Sequence, residues 1–240
     1  MRAFLLVAIT ATALVVGCAS APPLGEASCA ALAAPIDGAK IALPTKGATI
    51  DSATLVAASA LVVAERGPTP AATITPAAPA YCKVLGKIAP VDPAAPSITF
   101  QVNLPVQWNG RSVQYGGGGF NGVLISGLSL VPAAPFDKPA PLALGYVTYG
   151  TDSGHQNAPN VPLQAFALND EALVNFAHAS YKKVRDLAVE LMKRRYGQAP
   201  KKLYFFGSSE GGREGVTMAQ RYPADFDGIF SRVPVINWTR

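Results

Sequence analysis

Two histidines and three cysteines are too few, in 240 residues, for a His-rich metal centre or a zinc site of four thiolates. Charge is scarce as well. Only 15% of residues are charged against 50% hydrophobic, which excludes disordered and fibrous classes and supplies apolar material for one sizeable core. The 20 basic and 15 acidic residues leave a mild net charge of +5. Lys182, Lys183, Arg185, Lys193, Arg194, Arg195, Lys201 and Lys202 cluster on one predicted helix and its exit. No aromatic stacking platform and no nucleic-acid motif accompany them, so they are expected to form a solvated helix face, with no nucleic-acid partner.

Met1-Arg2 supplies a short positive region, and the apolar run Ala3 to Val16 that follows is too short to span a bilayer. Residues 1–17 therefore read as a secretory signal peptide. The run ends Leu14-Val15-Val16-Gly17-Cys18, which resembles the lipobox of bacterial lipoproteins, where the cysteine becomes the first mature residue and carries lipid. The expected location is the periplasm or outer membrane, with the membrane as partner through that anchor; cleavage near Ala19 or Ala21 would instead give a secreted protein. Residues 18–26 read as a tether and 27–240 as the folded domain. In an oxidising compartment Cys29 and Cys82 form an even pair, with a disulfide as the default and two buried thiols as the alternative.

Along the chain, residues 27–67 are Ala-rich with weak periodicity, and Pro68 to Pro79 reads as an extended connection. Ile98 to Leu104 alternates apolar and polar and predicts a half-buried strand. The turn signal Asn109-Gly110 and renewed alternation over Arg111 to Tyr115 predict a hairpin. Leu142 to Tyr149 predicts another strand. Asn169 caps a long helix with an apolar stripe of Leu173, Ala177, Tyr181, Val184, Ala188 and Leu191, ended by Gly197. Leu203 to Phe206 predicts a strand buried on both faces, followed by a helix from Gly212 to Arg221 and a strand from Gly228. Helices alternating with buried strands make an α/β sheet.

Gly207-Ser208-Ser209-Glu210-Gly211 lies between that strand and that helix, which is the setting a nucleophile elbow requires. The glycines permit a reversal too tight for Cβ atoms. The turn presents Ser209 Oγ above the sheet and directs the Glu210 N–H at a forming oxyanion. Gly116 to Gly119, followed by Phe120-Asn121-Gly122, lacks the lysine of a phosphate-binding loop and any dinucleotide fingerprint. It reads instead as the second source of oxyanion N–H groups, with a flexible loop as the alternative. His155 is expected to shape the site without acting as base, His178 to be structural, and Asp225 and Asp227 to cap or bridge.

Trp108-Asn109-Gly110-Arg111, the GGGGFNG loop, Thr151-Asp152-Ser153-Gly154-His155, the elbow GSSEGGREG and Gln220 to Gly228 together resemble the tannase and feruloyl esterase family, which includes mono(2-hydroxyethyl) terephthalate hydrolases. The resemblance implies an α/β-hydrolase core with Ser209 as nucleophile and the N–H groups of Gly119 and Glu210 as oxyanion hole. It implies serine esterases acting on esters of aromatic acids, and a Cys29–Cys82 disulfide. Ser208 stands where the family usually has a cysteine, and Arg232 stands in a strand that usually reads Ala-Gly-Ala-Pro.

No histidine follows Ser209, although in this fold the triad runs Ser, Asp or Glu, His. The resemblance implies that the lid with its calcium site, and the strands bearing Asp and His, lie beyond residue 240. The expectation is an N-terminal fragment, weakly active or inactive alone, with no cofactor within it. A non-catalytic, lipid-anchored binding protein on an esterase scaffold is the alternative.

Overall fold

The structure is a computed structural model and describes residues 25–65, 72–131, 133–135 and 137–237. The signal peptide, Cys18 and most of the tether lie outside the described residues. Glu26, the tether's last residue, already begins helix α1 (Glu26–Ala30).

Among the described residues nine strands and three further α-helices follow: β1 (Ala48–Val56), β2 (Val62–Glu65), β3 (Ala72–Thr75), β4 (Tyr81–Ile88), β5 (Ile98–Pro105), β6 (Arg111–Tyr115), β7 (Val147–Thr151), α2 (Asp170–Val174), α3 (Ser180–Tyr196), β8 (Lys202–Ser208), α4 (Glu210–Arg221) and β9 (Gly228–Arg232). Seven strands make one mixed sheet in the order β1-β4-β5-β7-β6-β8-β9, while β2 and β3 pair with each other. β1, β4, β5 and β7 run antiparallel to their neighbours in turn. From β7 through β6 and β8 to β9 the pairing is parallel. β8 is entered from α3 and left through α4, as parallel strands require.

Several expectations change. Asn109-Gly110 is a turn, with Gly110 at φ +81, but it does not close a hairpin, because β7 sits between β5 and β6. The strand expected over Leu142 to Tyr149 begins later, at Val147, since Pro141–Leu144 winds into a 3-10 turn ended by Gly145 at φ +81. β5 is buried on both faces: its polar Gln101 and Asn103 bond to each other, and Asn103 Nδ2 also donates to Ser126 O (2.7 Å) and Thr148 Oγ1 (2.9 Å). β8 in turn buries one face only, with Leu203 and Phe205 inside and Tyr204 and Phe206 partly covered. The Ala-rich region holds β1 and β2, and the Pro-rich connection holds β3.

The main core lies between the sheet and α3, where Phe100, Val102, Leu104 and Tyr149 pack on Val184, Leu187, Ala188 and Leu191. Cys29 and Cys82 are fully buried there and joined as a disulfide. A smaller cluster of Tyr181, Phe205 and Met218 joins α3, β8 and α4. Asn169 caps α2 by accepting from Ala172 N (2.9 Å), and α2 runs into α3 through a π-helical segment, Asn175–Ala179. That wider turn inserts a residue and shifts the phase of what precedes it, so Ala172 is buried while Leu173, predicted in the stripe, is 42% exposed. Gly197 ends α3 at φ +71.

The basic cluster is not a solvated face throughout. Lys183, 3% exposed, pairs with Glu171 and donates to Asn175 Oδ1. Lys182 pairs with Asp186 and Asp225, and Arg195 is buried too. These cations tie α3 to α2 and to the loop after α4, an arrangement that a charge count cannot separate from a wet surface. Among the described residues no helix is long and apolar enough to cross a membrane.

Candidate active site

Ser209 is exposed at the junction of β8 and α4, with φ 58 and ψ −118, a conformation a non-glycine residue adopts only under constraint. The constraint is visible on both sides. Ser209 N donates to Arg232 O (3.0 Å), and Val235 N donates to Ser209 O (3.2 Å). Gly207 is obligatory, because a Cβ there would overlap the Gly211 backbone. Gly211 and Gly212 are similarly pressed by Gly117 and by Arg232 and Pro234.

The glycine loop leaves β6 directly beside this turn. Gly116 N donates to Phe206 O (2.8 Å) and Gly211 N donates to Gly117 O (3.1 Å). Gly119 lies at φ +59 and Asn121 at φ +50. Gly118 and Gly119 are exposed, and a Cβ added at either would meet nothing within 4 Å, so their backbone borders open space. A glycine loop and a helix N-terminus are each elements whose backbone N–H groups can receive an anion. The structure thus brings Ser209, Glu210 and the Gly116–Gly119 loop to one end of the parallel strands.

The Glu210 side chain turns inward. It accepts from Arg213 Nε (2.6 Å), and the same guanidinium donates to Ala177 O (3.1 Å) and Phe176 O (3.2 Å) of the π-helical segment. His155 is buried and stacked on Phe166 (3.9 Å between ring centres), with Phe176 at its edge. Burial holds its imidazole below the ordinary value. Its loop braces the glycine loop from the far side: Gly122 N donates to Asp152 O (3.0 Å), and Asn157 Nδ2 to Asn121 O (2.9 Å). His178 Nδ1 is engaged with the Tyr222 hydroxyl at 2.7 Å. Both histidines therefore have structural partners. Asp225 pairs with Lys182 and Arg185, and Asp227 with Lys202 and Leu203 N, so both act as bridges. Arg232 Nη1 donates to Ser208 Oγ (3.2 Å). Among the described residues no three His, Cys, Asp or Glu converge on a metal position.

The residue that sequence reasoning missed is Glu214, wholly buried on α4 against the glycine loop. Its signal is faint: Gly211, Glu214, Gly215 and Met218 fall at helical spacing on the buried face, and one of the four is a carboxylate.

The family model described as "Tannase and feruloyl esterase" matches residues 82–240. The chain belongs to the tannase and feruloyl esterase family. An uncharacterized esterase of Agrobacterium fabrum is 44% identical over 220 residues, covering 91% of this chain and 37% of its own length. The mono(2-hydroxyethyl) terephthalate hydrolase of Piscinibacter sakaiensis is 35% identical over 181 residues, 72% of this chain and 30% of that protein. Feruloyl esterase B from Aspergillus oryzae has a similar structure, with a TM-score of 0.58, 27% identity and coverage of 87% of this chain and 37% of that one. The tannin acyl hydrolase of Aspergillus niger, at 21% identity and a TM-score of 0.63, shares the fold. As a tannase-family chain it spans between a quarter and two-fifths of these relatives' lengths.

Proposed function

We propose that the chain carries the nucleophile and oxyanion hole of a serine carboxylic-ester hydrolase acting on esters of aromatic acids. The observation that supports this most is the exposed, positive-φ Ser209 between β8 and α4. In the proposed reaction Ser209 Oγ attacks the ester carbonyl carbon and gives up its proton to a base. The carbonyl oxygen becomes an oxyanion, which the N–H groups of Gly119 and Glu210 stabilise. Collapse of the tetrahedral intermediate releases the protonated alcohol and leaves an acyl-enzyme. Water then attacks, releasing the acid and restoring the serine hydroxyl.

An aromatic acyl group is favoured by the rings beside the loop, where Phe120 meets Phe176 (6.4 Å) and Phe166 continues the cluster. His155 and His178 have other partners, so we assign the base and its acidic partner to the share of the family fold that this chain does not span.

The test is hydrolysis of aryl esters by the full-length protein. Turnover is expected to fall by about 10⁴-fold or more in Ser209→Ala, to the residual that binding and the oxyanion hole alone sustain. Residues 18–240 alone are expected to turn over weakly or not at all. Ordinary turnover that survives Ser209→Ala refutes the assignment, and ligand binding without turnover in the full-length protein would favour a non-catalytic scaffold.

A further inference from the structure

We propose that Glu214 is a positioning residue that sets the oxyanion turn, grasping it at both ends with its two carboxylate oxygens. The proposal rests on the reading of Ser209 and Gly119 given above. Oε2 accepts from Gly117 N (2.9 Å), at the start of the turn. Oε1 accepts from Asn121 Nδ2 (2.5 Å), at its end, and from the Tyr181 hydroxyl. Between these anchors Asn121 N donates back to Gly118 O (2.9 Å), closing the turn. Gly118 and Gly119 have no neighbour within 4 Å of where a side chain would begin, so packing does not hold them. Their place is inherited from the ends, which other bonds also brace, and one carboxylate touches both ends.

The chemistry fits an ionisable acceptor. Three donors converge on Glu214: a backbone N–H, an amide and a phenol. A carboxylate only accepts, so it can serve all three; a glutamine of the same shape would turn its own NH₂ against one of them. Burying a carboxylate is costly and is sustained by such donors. α4 also begins at the nucleophile, so Ser209 and the carboxylate that holds the turn move as one rigid element. A backbone donor must lie about 2.7–3.1 Å from a forming oxyanion, and an anchored turn meets that tolerance where a free glycine run does not.

The groups facing Glu214 are Tyr181 from α3, Glu210 and Arg213 from its own helix, and the Gly117 and Asn121 donors of the loop. Burial pushes its carboxyl up to about 7, which makes its titration observable near neutrality. The experiment uses the full-length protein, glycine-selectively labelled for NMR. The Gly117 amide resonance is expected to follow the titration of the Glu214 carboxyl carbon. In Glu214→Gln, amide exchange at Gly117, whose N–H loses its carboxylate acceptor, is expected to quicken at least ~10-fold, while the α4 amides keep their protection. The kcat for an aryl ester is expected to fall about 10- to 100-fold, with KM within about twofold.

A Gly117 amide indifferent to Glu214 overturns the proposal, and so does a folded Glu214→Gln with unchanged loop exchange and kcat. Should Glu214→Gln not fold, the wild-type titration decides alone. A protein that hydrolyses no ester while Gly117 follows Glu214 counts against the esterase reading and leaves the anchored turn standing.

Discussion

Glu214 sits among three donors, yet the loss of water outweighs them and lifts its carboxyl from 4.5 to about 7. A folded-state value above the unfolded one means that the native protein holds this proton more tightly. The corresponding stability is fully present below about pH 4.5 and is lost as pH rises through about 7. Urea unfolding at successive pH values is expected to show this decline in the wild type and a flatter profile in Glu214→Gln over the same window. A variant that keeps the wild-type slope would assign the decline to another group. Ser209 and its glycines were legible in the sequence because their constraint is local, a tight turn between two recognisable elements. Glu214 was not, since its role depends on α3, α4 and the glycine loop meeting around one side chain.

At the scale of elements, the π-helical segment is the place where periodicity misled. A stripe of constant spacing continues through a wider turn on paper, but the helix does not, and Leu173 left the core for solvent. Wider turns free carbonyls, and here Arg213 takes up those of Phe176 and Ala177 while pairing with buried Glu210. Arg213→Ala removes all three bonds and strands the Glu210 carboxylate. The expected cost is about 3 kcal/mol, as for other buried pairs broken from one side, read as a lower denaturation midpoint. Hydrogen exchange should also quicken over residues 175–180, which separates this effect from a general loss of stability. A midpoint unchanged within error would mean that water satisfies these groups. The buried lysines of α3 were misread for a related reason: the anions that receive them come from Glu171 and Asp225, on either side of the helix in sequence.

Across the whole molecule, the alternation of strands and helices predicted the α/β class, and the sheet bears it out. The order of strands did not follow, because β7 enters between β5 and β6 from more than thirty residues away, and a turn signal is blind to that. The Cys29–Cys82 disulfide ties α1 to β4 across a separation of 53 residues. On the loop-entropy account a closure of that length stabilises by about 4 kcal/mol. Replacing both cysteines by serine is expected to lower stability by roughly that amount. Peptide mapping without reductant should recover residues 29 and 82 as one linked species, and two free thiols there would contradict the pairing. A bridge of this kind persists in oxidising compartments.

The two halves of the sheet also differ in how far apart their partners lie along the chain. Ile88 meets Ile98 across a short connection, whereas Ser112 meets Leu203 only after most of the intervening chain has been made. A loop roughly ninefold longer adds about 2 kcal/mol of closure entropy before the contact returns anything. The antiparallel half can therefore zip up early, from neighbours, while the parallel half waits for distant ones. Gly116 and Phe206 belong to that late pairing. The glycine loop and the serine turn are strangers until then, so the candidate site takes shape only with the parallel half.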